Sequence, residues 1–261
     1  MFARGESYQR FMGRWSALLA PELLRFARLR DGDYVLDVGS GTGVLAAAVR
    51  DALPTARVTG IDASPEFVRF ATENAQDDSG RVRFEVGDAQ HLGFSNATFD
   101  AVLSSLVLNF VPQPERAVGE MMRVTKPGGS FAAAVWDYGG GMEMLRVFWD
   151  EAGALDARAK ALDEAGMASC REGALEALCV QAGLRDIEAA ALVVPLRFAS
   201  FDDFWSPFLL GIGPAGAYAQ SLASEHRDEL RKALERRVQA DRSGDPSISL
   251  RARAWAVRGH C

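Results

Sequence analysis

The chain has 261 residues, 48% hydrophobic and 25% charged, with a formal net charge of −6. That suits a globular domain with a full core and gives nucleic-acid or anionic-membrane binding no whole-chain electrostatic support. No apolar run is long enough to span a bilayer, residues 1–15 carry Arg4, Arg10 and Arg14 without the apolar stretch of a signal peptide, and the three cysteines, Cys170, Cys179 and Cys261, lack metal-ligand spacing. A reducing, cytoplasmic setting, with no metal site and no membrane or nucleic-acid partner, is the expectation.

Residues 7–30 space Tyr8, Phe11, Met12, Trp15, Leu18, Leu19, Leu23, Leu24, Phe26 and Leu29 for one or two amphipathic helices, with Pro21 in the first turn of the second. Preceding the first strand, this segment is expected to lie across the sheet edge or over a ligand mouth, and Tyr8 and Trp15 are candidate ligand-lining residues. Tyr34–Val38 then reads as a buried strand, because only Asp37 interrupts its apolar character. Gly39, Gly41 and Gly43 follow at alternate positions, and a helical run from Val44 reaches Leu53 before Pro54 stops it.

Strand, glycine turn and helix bring backbone N–H groups close to a ligand. A dinucleotide loop, G-x-G-x-x-G, would need glycine where Val44 stands. The loop is G-x-G-x-G instead, behind an acidic strand end. A carboxylate there repels pyrophosphate and suits an ammonium or sulfonium group.

Val58–Ile61 is the second predicted strand, with Asp62 at its end, about nineteen residues after Gly43, where a βαβ unit delivers an acid to ribose hydroxyls. Ser64-Pro65 reads as the N-cap and first residue of the next helix. Val82–Val86 is the third strand, ending in Gly87-Asp88-Ala89. Phe99–Ser104 is the fourth, a helix follows over 116–125, and Pro127-Gly128-Gly129 leads into the fifth, Ser130–Trp136.

Asp37-x-Gly39-x-Gly41-x-Gly43, Asp62, Gly87-Asp88-Ala89, Phe99-Asp100 and Pro127-Gly128-Gly129, in this order, resemble a class I S-adenosylmethionine-dependent methyltransferase. Within that class the chain is similar to the small-molecule group that includes the ubiquinone and menaquinone C-methyltransferases. The resemblance covers about residues 30–137. It implies an α/β, doubly wound Rossmann-like sheet of seven strands, six parallel and the last antiparallel, with helical cap elements. It implies S-adenosylmethionine as cofactor, S-adenosylhomocysteine as product and a small-molecule methyl acceptor.

By that resemblance, Asp37, Gly39, Ser40, Gly41 and Gly43 hold the methionine end, Asp62 takes the ribose hydroxyls with Ala63 or Ser64 beside the adenine, and Asp88 and Ala89 read the adenine edge. Ser104 faces the sulfonium region, and Arg14 meets the cofactor carboxylate. The implied division is a helical cover, 1–30, and a methyltransferase domain, 31–261, whose cofactor half is 31–137 and whose cap insertions are 138–170 and 199–246.

Beyond residue 137, helices are expected over 142–155 and 171–182, with Gly183 as C-cap, then a sixth strand over 184–198, a charged helix over about 221–240 and a seventh strand over 247–257. Long insertions in compact domains are usually functional. Phe201, Trp205 and Phe208 are candidates for acceptor lining, with core packing or a homodimer contact as the other uses of that stretch; Leu108, Trp136 and Tyr138 join them. Methyl transfer demands position and a dry pocket more than a base, so the catalytic residue is left open, with His91 and Tyr138 as candidates. No Asn- or Asp-Pro-Pro-aromatic tetrad of a nucleic-acid methyltransferase follows the fourth strand, and the cysteine set of an arsenite enzyme lacks its N-terminal member. A non-catalytic cofactor-binding regulator and an aminopropyl transferase stay open.

Overall fold

Seven strands form one sheet in the order β3-β2-β1-β4-β5-β7-β6, in a computed structural model that describes residues 8–77, 79–239 and 246–261. Arg4 and the Ala240 end of the charged helix lie outside the described residues. The strands are β1 (Tyr34–Val38), β2 (Arg57–Asp62), β3 (Val82–Val86), β4 (Phe99–Ser105), β5 (Thr125–Trp136), β6 (Arg185–Phe198) and β7 (Ile248–His260). β1 pairs in parallel with both β2 and β4, while β7 runs antiparallel between β5 and β6. Six parallel strands and an antiparallel last one are the arrangement the resemblance implies. The chain leaves β1 toward β2 and β3, then returns on the other side of β1 as β4. That reversal puts a ligand crevice at the carboxyl ends of β1 and β4.

The helices are α1 (Arg14–Ala27), α2 (Val44–Ala52), α3 (Pro65–Asn74), α4 (Pro114–Val124), α5 (Glu143–Leu155), α6 (Ala174–Ala182), α7 (Phe201–Trp205), α8 (Gly213–Ser221) and α9 (Ser224–Gln239). A π-helical turn, Gln9–Gly13, leads into α1. Pro21 lies inside α1 rather than opening a second helix. Trp15, Leu19, Leu23 and Ala27 are buried on both sides of it, and burying that stripe, at about 1.5–3 kcal/mol per large side chain, outweighs the roughly 3 kcal/mol penalty of an interior proline. Ser64 caps α3 as expected, its hydroxyl accepting from the Phe67 N–H with Pro65 at the first helical position. α6 starts at Ala174 rather than Arg171, because short 3-10 turns fill residues 157–170 and Gly173 turns left-handed before it.

Phe131, Trp136, Leu103 and Leu36 are fully buried at the centre of the sheet. The segment between β6 and β7 is fastened down by aromatic contacts. Phe208 stacks on Phe148 of α5, with centroids 4.5 Å apart, and meets Phe11 of the N-terminal segment edge-on at 5.4 Å. Trp15 meets Phe198 at 5.1 Å. No helix among the described residues is long and apolar enough to cross a membrane.

Candidate active site

β1 delivers Asp37 to the crevice and then bends through the glycine loop. The N–H groups of Gly39 and Ser40 both donate to the Ile61 carbonyl of β2, at 2.8 Å. Gly39 has φ +76°, and a Cβ there would stand 2.3 Å from a Val107 methyl, so only glycine lets the segment after β4 close over the loop. Gly41 faces open space. Its N–H donates to Asp62 Oδ2 at 2.9 Å, while Asp62 Oδ1 accepts from the Ser64 N–H at 2.8 Å. Two backbone donors thus aim the Asp62 carboxylate and leave it lone pairs for further donors.

These groups open into one cavity of about 770 Å³, the size range of a cofactor or drug-sized ligand. Asp37, Gly39, Ser40, Gly41, Thr42, Asp62 and Phe67 line one part of it. Ser105 at the end of β4 and Leu106, Val107 and Phe110 just past it also line it. Tyr8, Ser16 and Ala20 of the N-terminal segment and 210–213 of the β6–β7 segment complete the enclosure.

Asp37 is only 1% exposed, and neither carboxylate oxygen makes a hydrogen bond of normal geometry among the described residues, the Ala46 N–H offering it no more than a weak interaction. Burial, reinforced by the negative charge of Asp62, pushes its pKa up to about 7. The Ser40 hydroxyl beside it is without a partner. Buried polar groups are normally satisfied, so this pair marks the place where a ligand's polar end fits. The chemistry matches a cationic amine or sulfonium compound carrying a ribose: an unpaired acid for the cation, an aimed acid for vicinal hydroxyls, and a glycine facing free volume.

Of the residues expected at the site, Asp37, Gly39, Ser40, Gly41, Asp62 and Tyr8 line the cavity. Others have different placements. A Cβ at Gly43 would meet the Phe84 ring at 2.9 Å, so this glycine serves helix–strand packing rather than the ligand face. Ala63 and Ser64 lie outside the lining, where Ser64 caps α3. Asp88 is taken up by its own turn, accepting from Gln90, whose hydrogen bonds hold the carboxyl below its usual range; Ala89 packs against the core. Ser104 is fully buried and donates to the Val38 carbonyl at 2.9 Å, stitching β4 to β1.

Arg14 does not reach the cavity lining. Its guanidinium pairs with Asp203 at 2.8 Å and lies over the Trp15 and Phe198 rings. Trp15, Leu108, Trp136, Phe201, Trp205 and Phe208 are core side chains, each at most 5% exposed and none in the lining. His91 is exposed, in the Asp88 turn. Tyr138 is buried outside the lining, and desolvation raises its phenol pKa well above the usual value, which keeps it neutral. None of the three cysteines lines the cavity.

Phe67, Ser16, Ala20, Leu106, Val107, Phe110 and residues 211–213 are lining positions that sequence reasoning missed, while Leu210, the last residue of the aromatic stretch, does line the cavity. Leu106 is left-handed at φ +64°, while its N–H donates to the Ala134 carbonyl at 2.7 Å. A non-glycine residue held there is strained, and such strain clusters at functional sites.

Residues 36–133 match the family described as "Methyltransferase domain", over the strands and loop that build this crevice. Residues 36–133 carry a methyltransferase domain. The chain is 36% identical over 109 residues to an arsenite methyltransferase of Halobacterium salinarum, covering 41% of this chain and 28% of that one. It is 38% identical over 104 residues to a ubiquinone/menaquinone biosynthesis C-methyltransferase of Ralstonia pickettii, covering 40% and 43%. The chain thus spans less than half the length of these relatives. The methyltransferase domain also shares its fold with Haemonchus contortus phosphoethanolamine N-methyltransferase 2 in complex with S-adenosyl-L-methionine, at 18% identity and a TM-score of 0.59, over 98% of this chain and 56% of that one.

Proposed function

We propose that this chain is an S-adenosylmethionine-dependent methyltransferase acting on a small, apolar or aromatic acceptor. The observation that carries the reading is the unpaired, buried Asp37 carboxylate beside the glycine loop, in the same cavity as the aimed Asp62. Asp37 and Ser40 hold the cationic methionine end, Gly39 and Gly41 leave it room, and Asp62 accepts from the ribose hydroxyls. Bound there, the cofactor supplies an electrophilic methyl group together with its leaving group. The protein's part is to bind, orient and exclude water, and no lining side chain other than the two acids has to carry charge.

On this reading the acceptor meets the apolar lining residues Leu106, Val107, Phe110, Leu210 and Ile212, with the Tyr8, Ser16, Thr42 and Ser105 hydroxyls as the further polar side chains of the lining. That composition supports an apolar acceptor carrying few polar groups. Tyr8 meets Phe67 edge-on at 5.6 Å in the cavity wall. The reading is tested by calorimetric titration of the chain with S-adenosylhomocysteine and, separately, with NADH. Binding of the first and not of the second supports it, and the converse overturns it. Release of S-adenosylhomocysteine in the presence of candidate acceptors then identifies the substrate.

A further inference from the structure

We infer that Gln9 is a positioning residue: it fastens the N-terminal cover to the glycine loop through Thr42, and this fastening sets how fast the cofactor leaves. The inference rests on the cofactor reading above. Three observations carry it, and none concerns the acids that bind the ligand.

The first is the backbone leading into α1. Gln9–Gly13 form a π-helical turn, a rare conformation found mostly as an insertion at functional sites. An extra residue in one turn shifts the phase of everything before it. Trp15, Leu19 and Leu23 keep their buried stripe, while Tyr8 and Gln9 are swung toward the cavity and the loop.

The second is the contact itself. The Thr42 hydroxyl donates to Gln9 Oε1 at 3.0 Å, across 33 residues of sequence, in a half-buried setting. Thr42 stands between Gly41 and Gly43 and lines the cavity, as does Tyr8, the residue before Gln9. A ligand filling the cavity is therefore bounded by both the cover and the loop, and this contact ties the two together.

The third is Gly13. Its backbone is ordinary helix, φ −59° and ψ −37°, so no dihedral requires glycine there, and glycine is a poor helix former. A Cβ at this position would stand 2.3 Å from Gln9 Oε1 and 2.6 Å from its Cδ. The Gln9 carboxamide lies on the bare Cα of Gly13, and that is what directs it at Thr42.

The test is the rate of S-adenosylhomocysteine release, measured by surface plasmon resonance on the immobilised full chain, with thermal melts to confirm folding. Gln9→Ala and Thr42→Val should each speed release about two- to tenfold, the range expected for one hydrogen bond. The double variant should be no faster than either single one, because both remove the same contact. Gly13→Ala should release as fast as Gln9→Ala, and should add nothing when Gln9 is already alanine. Gln9→Glu, which keeps an acceptor for the Thr42 hydroxyl, should retain slow release. Additive rates, unchanged rates, or a Gly13→Ala effect that persists without the Gln9 side chain would each overturn the inference. A folded wild-type chain that binds no S-adenosylhomocysteine removes the cofactor reading and this inference with it, whereas binding with unaltered rates removes this inference alone.

Discussion

Replacing Asp37 with asparagine separates the role of this carboxylate in binding from its effect on stability. Burial and the neighbouring Asp62 raise its pKa from 3.8 to about 7 in the folded chain. Between those values the native state holds a proton that the unfolded state has lost, so stability falls as pH rises through the window. Each unit corresponds to about 1.4 kcal/mol, and from pH 5 to pH 8 the native group crosses about two units of it. Asparagine does not titrate. The stability of Asp37→Asn relative to wild type should therefore rise by about 2–3 kcal/mol between pH 5 and pH 8. For a chain of this length that is a relative gain of roughly 5 °C in melting temperature. The same substitution should weaken S-adenosylmethionine binding at pH 8. It should also flatten the wild-type rise of affinity through about pH 7, because only the ionised acid attracts the cation. Melts of the ligand-free proteins at both pH values, beside titrations, make the comparison. A melting difference of the same size at pH 5 and pH 8 would refute the burial argument.

Asp62→Ala should raise the cofactor dissociation constant about ten- to a hundredfold without unfolding the chain, as read by calorimetry. Arg14→Ala should leave that constant within twofold, because the guanidinium pairs with Asp203 rather than lining the cavity; its melting temperature should fall slightly, the pair being about one-third exposed. Phe208→Ala removes a ring stacked on Phe148 and touching Phe11, and should lower stability by about 3–5 kcal/mol in a denaturant titration. Leu106→Gly should lower stability by less than the roughly 2–5 kcal/mol usual for truncating a buried leucine, because release of the strained left-handed φ returns about 1–3 kcal/mol, as read by denaturant titration. Its acceptor turnover should drop if the strain shapes the pocket.

The parallel half of the fold was readable because its signals are local. A β-branched run, alternate glycines and an acid at each strand end need no partner beyond a few residues, and β3 ends where the pattern ends. The acids of β1 and β2 were legible as site residues for the same reason. Arg14 was not, since its partner Asp203 is 189 residues away and no local pattern reports it. The aromatic stretch after β6 misled because rings that suit a pocket also suit a core. Phe208 packs on Phe148 of α5 and on Phe11, Trp205 on Phe208, and Phe201 on Phe204 and Arg231 of α9, while residues 210–213 reach the cavity. Asp88 looked free at its strand end, yet the next residue but one satisfies it. Leu106 left no trace at all, for a strained φ in leucine is imposed by tertiary hydrogen bonding.

The ring contacts linking Phe11 to Phe208, and the ion pair between Arg14 and Asp203, join two stretches that lie at opposite ends of the chain. On the proposed reading, the two stretches shape the acceptor end together. An engineer who grafts only the entry helix from a relative, or only the late loop, leaves half of a matched joint facing a stranger. Acceptor range in this scaffold is expected to move only when both pieces are exchanged together.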